Sequence, residues 1–149
     1  MLEPAPFQKE FFARWSDMDF NAHMKNTAYL DYSADLRMAY FQANGFSMAE
    51  FSKAQFGPLI FQDEIRYFKE IHLLDTFTGN LQVAALNEDG SRFTFQNEFF
   101  RSDGKKAAIV LSQGAWIDLK SRKLTAPPPA LVEVMRRLPR VAEPARSDN

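Results

Sequence analysis

The residues with the greatest capacity for chemistry stand together in the run Asp17-Met18-Asp19-Phe20-Asn21-Ala22-His23-Met24-Lys25-Asn26-Thr27-Ala28-Tyr29. Carboxylates at 17 and 19, an amide at 21 and an imidazole at 23 recur at every second position. In a strand or an extended turn that spacing turns all four to one side. A carboxylate can act as a general base on water or attack an acyl carbon directly. An apolar helix is expected immediately afterwards. Its first N–H groups have no intrahelical acceptor and can polarise a carbonyl or hold a developing oxyanion. These parts suit acyl transfer. A helix cap uses one side chain, so four convergent polar groups exceed what capping requires.

The elements that position this run follow from periodicity and turn chemistry. Residues 7–15 alternate loosely and stop at Ser16-Asp17, as a strand that delivers the motif to its end. Over 27–43 the pattern becomes helical: Tyr29, Tyr32, Leu36 and Tyr40 form one stripe, with Leu30, Ala34 and Phe41 beside it. Asn26 is the expected N-cap and Asn44-Gly45 the C-terminal stop. Ala28, Ser33, Ala34 and Ala39 are small enough to let a curved sheet come close. A shorter helix is expected over 47–55, capped by Ser47 with Glu50 reciprocating, and ended by Gly57-Pro58.

Strands are then expected at 59–69, 76–86, 91–101 and 107–118. Asn87-Glu88-Asp89-Gly90 and Ser102-Asp103-Gly104-Lys105 read as hairpin turns, so the last three should form an antiparallel meander. Phe77, Gly79, Leu81, Val83 and Ala85 should share one apolar face, as should Ile109, Leu111, Ala115 and Ile117. After three prolines, 130–138 can form a terminal helix, with residues 139–149 a flexible tail. A twisted antiparallel sheet wrapped around one long helix satisfies both burial patterns, an α+β arrangement in a single domain over 1–149.

Composition narrows the function. A net charge of -1 provides no general attraction to nucleic acid. With no cysteine there is no disulfide, no thiolate nucleophile and no sulfur-based zinc site. Two histidines, His23 and His72, are too few for a multi-histidine metal cage, so neither metal nor cofactor is expected. The first residues resemble no signal peptide, and no stretch reaches the ~20 apolar residues of a membrane span. A cytoplasmic protein without membrane or nucleic-acid partners is the expectation.

The frame Arg14, Asp17, Asp19, Asn21, His23, Asn26 and Tyr29, followed by Arg37, resembles the hot dog-fold acyl thioesterases, both the hydroxybenzoyl-CoA branch and the acyl-ACP branch. Ile65-Arg66-Tyr67-Phe68-Lys69, reached through Glu64, is similar to the family's strand after the helix. The resemblance runs from about residue 7 to residue 138. Ala22 stands where the family often has Gly, and Lys25 where it often has Asn. The resemblance implies that Asp19 is the catalytic carboxylate, that Asp19, Asn21 and His23 match the acyl-ACP branch's set, and that the backbone N–H near Asn26 meets the thioester carbonyl. It also implies a homodimer, or a tetramer of dimers, with the active site at the subunit interface.

Hydrolysis of an acyl-CoA or acyl-ACP thioester is therefore the leading expectation, with Asp19, Asn21, His23 and Asn26 as catalytic candidates. Tyr29 is expected to be part core and part pocket wall, and Glu64 is a second substrate-binding candidate. Asp17 is assigned to the turn, paired with Arg14, and His72 to the surface. Arg101, Lys105, Lys106, Arg122 and Lys123 are candidates for coenzyme A phosphates. Two alternatives stand beside hydrolysis: a non-catalytic acyl-CoA-binding protein of the same fold, and a hydratase or dehydratase, which would need a His–acid signature.

Overall fold

The computed structural model describes residues 7–141. Five strands form one antiparallel sheet: β1 (Phe7–Phe12), β2 (Phe56–Tyr67), β3 (Thr76–Leu86), β4 (Arg92–Arg101) and β5 (Lys106–Asp118), in the order β1-β3-β4-β5-β2. The expected meander is present as β3-β4-β5. The helices are α1 (Asn26–Ala43), α2 (Met48–Ala54) and α3 (Pro129–Arg136). This is the α+β, hot dog arrangement: a strongly twisted sheet wrapped around α1, which lies against β1, β3 and β5.

The tyrosine and leucine stripe explains why α1 sits there. Tyr29, Tyr32, Leu36 and Tyr40 are all buried, and Leu36 alone contributes ~2 kcal/mol by leaving water. The sheet meets the helix at Gly79, where an added Cβ would lie 2.8 Å from both Leu36 Cδ1 and Phe99 Cε1. Of the small helix residues, Ala28 and Ser33 are buried at this contact face, whereas Ala34 and Ala39 are only partly covered. At the other end, Gly45 takes a φ of 91°, and Phe46 N–H donates to the Phe41 carbonyl at 2.8 Å, closing the helix as expected.

Several expectations shift. Ser47 does cap α2, accepting from Glu50 N–H at 3.3 Å. The helix ends at a left-handed Gln55, however, and Gly57-Pro58 already belong to β2. Ala85 is exposed and Ala84 buried, because a register shift between Val83 and Ala85 reverses the alternation. On β5, Ala107, Ala108, Val110 and Trp116 belong to the core clusters, whereas Ile109, Leu111, Ala115 and Ile117 alternate with the last three on the other face, where Ile109 and Ala115 are buried as well. Both faces of β5 are apolar, and period alone cannot choose between them.

Pro139 onward does not begin as a loose tail. Val83 N–H donates to the Pro139 carbonyl and Val141 N–H to the Val83 carbonyl, each at 2.9 Å. Among the described residues β1 is registered on β3 from Phe12 opposite Thr76 to Phe7 opposite Leu81, and residues 139–141 bond to Val83, two positions further along β3. The rest of the expected tail, 142–149, lies outside the described residues.

Candidate active site

The motif run folds as a tight reversal rather than an extended segment. Met18 bridges Met24, Asp19 N–H donates to the His23 carbonyl at 2.8 Å, and Ala22 N–H returns to the Asp19 carbonyl at 3.0 Å. Ala22 adopts a φ of 63° at the turn, the conformation that glycine takes without steric cost. That is the physical content of the Gly-to-Ala departure seen in sequence.

The reversal separates the two aspartates. Asp17 is buried and accepts from Arg14 N–H at 3.0 Å, from the Arg14 guanidinium at 3.2 Å and from the Tyr32 hydroxyl. Burial by itself would raise its pKa, but the Arg14 and Tyr32 hydrogen bonds outweigh that and hold it below the ordinary value. Asp17 thus locks the segment that precedes the turn, with Arg14, as the sequence suggested. Asp19 is exposed. Its Oδ1 accepts from Asn21 N–H at 2.8 Å and His23 N–H at 3.1 Å, while Oδ2 has no hydrogen-bond donor among the described residues.

Helix α1 begins one residue earlier than expected. Lys25 is the N-cap and Asn26 the first helical residue, and no side chain caps the end. Lys25 N–H is taken by the Asp17 carbonyl at 2.9 Å, and the Ala28 and Tyr29 N–H groups turn back to the Lys25 carbonyl. The N–H groups of Asn26 and Thr27 have no acceptor among the described residues. An uncapped helix start leaves its partial positive charge available to a ligand.

A cleft of about 470 Å³ opens here, lined by Asp19, His23, Met24, Lys25, Asn26 and Tyr29 from the motif and by Tyr67, Phe68, Lys69 and Glu70 from the end of β2 and the residues after it. Tyr29 forms its wall and floor at once: it is buried, and packs edge-on against Tyr67 at 5.7 Å and Phe99 at 5.5 Å. That burial pushes its phenol well above the ordinary value, keeping it neutral.

Asp19, His23, Asn26 and Tyr29 therefore come together, and Asn21 and Glu64 do not join them. Asn21 is exposed at the turn tip, outside the cleft lining, and reaches Asp19 only through its backbone. Glu64 is also outside the lining and pairs with Arg66 at 3.3 Å, along its own strand. Two of the candidate phosphate ligands are engaged by acids: Arg101 with Asp103 at 2.8 Å and Lys106 with Glu98 at 2.9 Å. Arg37 lies elsewhere, donating to Ser112 Oγ at 3.3 Å, which in turn donates to Asp63 at 2.6 Å.

Sequence reasoning missed Lys69 and Glu70 as cleft residues, although the strand match ending at Lys69 pointed to the right place. It also placed His72 alone at the surface. His72 is exposed, but it forms a backbone bridge with His23, and the two rings meet edge-on at 5.2 Å.

The sheet wrapped around a central helix, with a carboxylate beside the uncapped helix start, is the hot dog arrangement, and comparison with known proteins gives the family. Residues 13–135 match the model of the thioesterase-like superfamily, and the chain belongs to that superfamily. No curated protein matches the chain. Among solved structures, a Staphylococcus aureus protein in complex with CoA superposes with a TM-score of 0.84 at 18% identity, covering 97% of this chain and 92% of that one. A 1,4-dihydroxy-2-naphthoyl-CoA thioesterase from Synechocystis gives 0.79 at 17% identity, covering 89% and 96%. A DHNA-CoA thioesterase from Staphylococcus aureus gives 0.79 at 18%, covering 89% of each chain. Among the described residues no helix is long and apolar enough to cross a membrane.

Proposed function

We propose that the protein hydrolyses an acyl thioester, carried on coenzyme A or on an acyl carrier protein, to a free acid and a thiol. The observation that carries this reading is the meeting of Asp19 and the uncapped start of α1 in one cleft. The carbonyl oxygen is received by the N–H groups at Asn26 and Thr27, which stabilise the charge that develops on it. Backbone donors from Asn21 and His23 hold Asp19 Oδ1, and Oδ2 acts, either taking a proton from water as it attacks the carbonyl carbon or attacking that carbon itself. The C–S bond breaks and the thiolate leaves, taking up the proton drawn from water; where Asp19 itself attacks, the mixed anhydride it forms is then hydrolysed by a water, which releases the acid and restores the carboxylate. His23 orders the polar side of the cleft, and Tyr29 and Tyr67 form its apolar side. Lys25 and Lys69 supply positive charge for the phosphate that both carriers bear.

The active unit in this reading is a homodimer or a tetramer of dimers, with the cleft at the subunit interface. The open sheet edge at β2 supports it: Leu59, Phe61, Tyr67 and Phe68 are exposed there, and the last two line the cleft. The protein acts in the cytoplasm on this reading, and the chemistry at Asp19 calls for no metal or cofactor.

The test is thiol release from a panel of acyl-CoA and acyl carrier protein substrates by wild type and D19N. A loss of about 10²- to 10⁴-fold is expected for the variant. Equal rates would remove Asp19 from the chemistry, and acyl-CoA binding without turnover in the wild type would make the protein a binder. Rapid-quench mass spectrometry separates the two roles of Asp19, since only nucleophilic attack adds the acyl mass to the chain.

A further inference from the structure

Both histidines of the chain, remote in sequence, come to the same place at the mouth of the cleft. Their backbones are held side by side, because His23 and His72 form an antiparallel bridge and the neighbouring Met24 N–H donates to the Ile71 carbonyl at 2.8 Å. The Glu70 carboxylate stands between the rings, with Oε2 at 3.9 Å from His23 Nε2 and at 3.9 Å from His72 Nε2. One donor atom from each of the three residues lies within 4.8 Å of the others.

We propose that His23, Glu70 and His72 form a binding site for one divalent transition-metal cation of the zinc type. Two imidazoles and one carboxylate are the donor set that such ions take, whereas magnesium and calcium prefer all-oxygen surroundings. Bonds of ~2.0–2.2 Å in a tetrahedral site separate the donors by roughly 3.4 Å, so each imidazole needs to close on Glu70 by about 0.5 Å and the two imidazoles on each other by at most about 1.4 Å. Side-chain rotation provides this, since all three are partly or fully exposed.

The surroundings favour the metal-bound form over a chance meeting of side chains. Asp75 Oδ2 lies 3.6 Å from His72 Nδ1 and also accepts His72 N–H at 2.9 Å. At 3.6 Å this is an ion-pair contact rather than a hydrogen bond, and a carboxylate on the Nδ1 side favours the tautomer that leaves the Nε2 lone pair for the ion. The backbone bridge places the second imidazole, so little order is lost when the ion binds. The occupied site fastens the 19–24 reversal to the 70–75 turn beside the cleft.

Zinc binding is measured by isothermal titration on the untagged full chain, with cobalt(II) absorption reporting the ligand set and the metal-free melting temperature of each variant reporting its fold. Wild type should bind one zinc ion per chain, show visible cobalt bands and melt at a higher temperature with zinc. H72Q and E70Q should bind zinc roughly tenfold or more weakly, lose the zinc-induced shift, and melt like wild type without metal. Magnesium in excess should not compete. No stoichiometric zinc binding by wild type, or equal binding by both variants, would overturn the site. These readouts are independent of turnover, so failure here leaves thioester hydrolysis untouched, and failure of hydrolysis leaves the site standing.

Discussion

Asp17 and Asp19 are separated by one residue and end in opposite surroundings, which gives each a distinct prediction. Asp17 is a buried acceptor whose donors are Arg14 and Tyr32. D17A should cost about 1–3 kcal/mol of stability by denaturant unfolding, since it leaves those donors without a partner. The folded carboxyl titrates below its ordinary value, so its stabilisation is complete above the unfolded pKa of ~3.9 and is lost as pH falls from there through the lower folded value. Melting temperatures recorded between pH 6 and pH 2 should show wild type and D17A converging over that acid range. At Ala22 the strain of a φ of 63° is relieved by glycine, against glycine's greater unfolded-state entropy. A22G should therefore raise stability by up to about 1 kcal/mol, read from the same unfolding curves. A clear loss would show that the turn does not adopt this conformation. The role of Asp17 was legible in sequence. The partition between the two aspartates was not, because alternating spacing assumes an extended chain and these residues turn back after Asp19.

The elements themselves followed closely from periodicity. α1 and the β3-β4-β5 meander were legible because the apolar stripe and the two hairpin turns are local signals. Which face of β5 meets the core was decided by the sheet's register, and the bulge at Val83 and Ala85 leaves no local mark. α1 and the sheet come close at Gly79, where an added methyl group would lie 2.8 Å from the buried side chains of Leu36 and Phe99. G79A should destabilise the protein by about 1–3 kcal/mol. The double variant L36A/G79A should lose less than the sum of the single changes, because the space vacated at Leu36 receives the new methyl. Strict additivity in denaturant midpoints would show that the contact is not there.

For the whole molecule, the proposed pairing of subunits turns on the open side of β2. Phe61 on β2 and Phe68 just after its end are each about half exposed, and the outer edge of that strand has no partner among the described residues. If two copies pair along this side, light scattering of wild type should give at least twice the 17.1 kDa chain mass. F61K should shift the distribution toward monomer, since a lysine buried in a contact costs far more than one in water. A wild-type monomer at working concentration would count against a cleft shared between subunits.

The amino-acid sequence by itself determined which chemistry was available: one polar run with two carboxylates, an apolar helix after it, no cysteine and only two histidines. It also determined the order of elements, since periodicity and turn residues act over a few positions. The tertiary structure decided which of those residues meet. It withdrew Asp17 into a buried pair, moved Asn21 to the tip of the turn, brought Lys69 and Glu70 to Asp19, and placed His72 against His23. Each of these contacts depends on the sheet closing around α1, and pairing of strands remote in sequence is set by burial and register rather than by any local pattern.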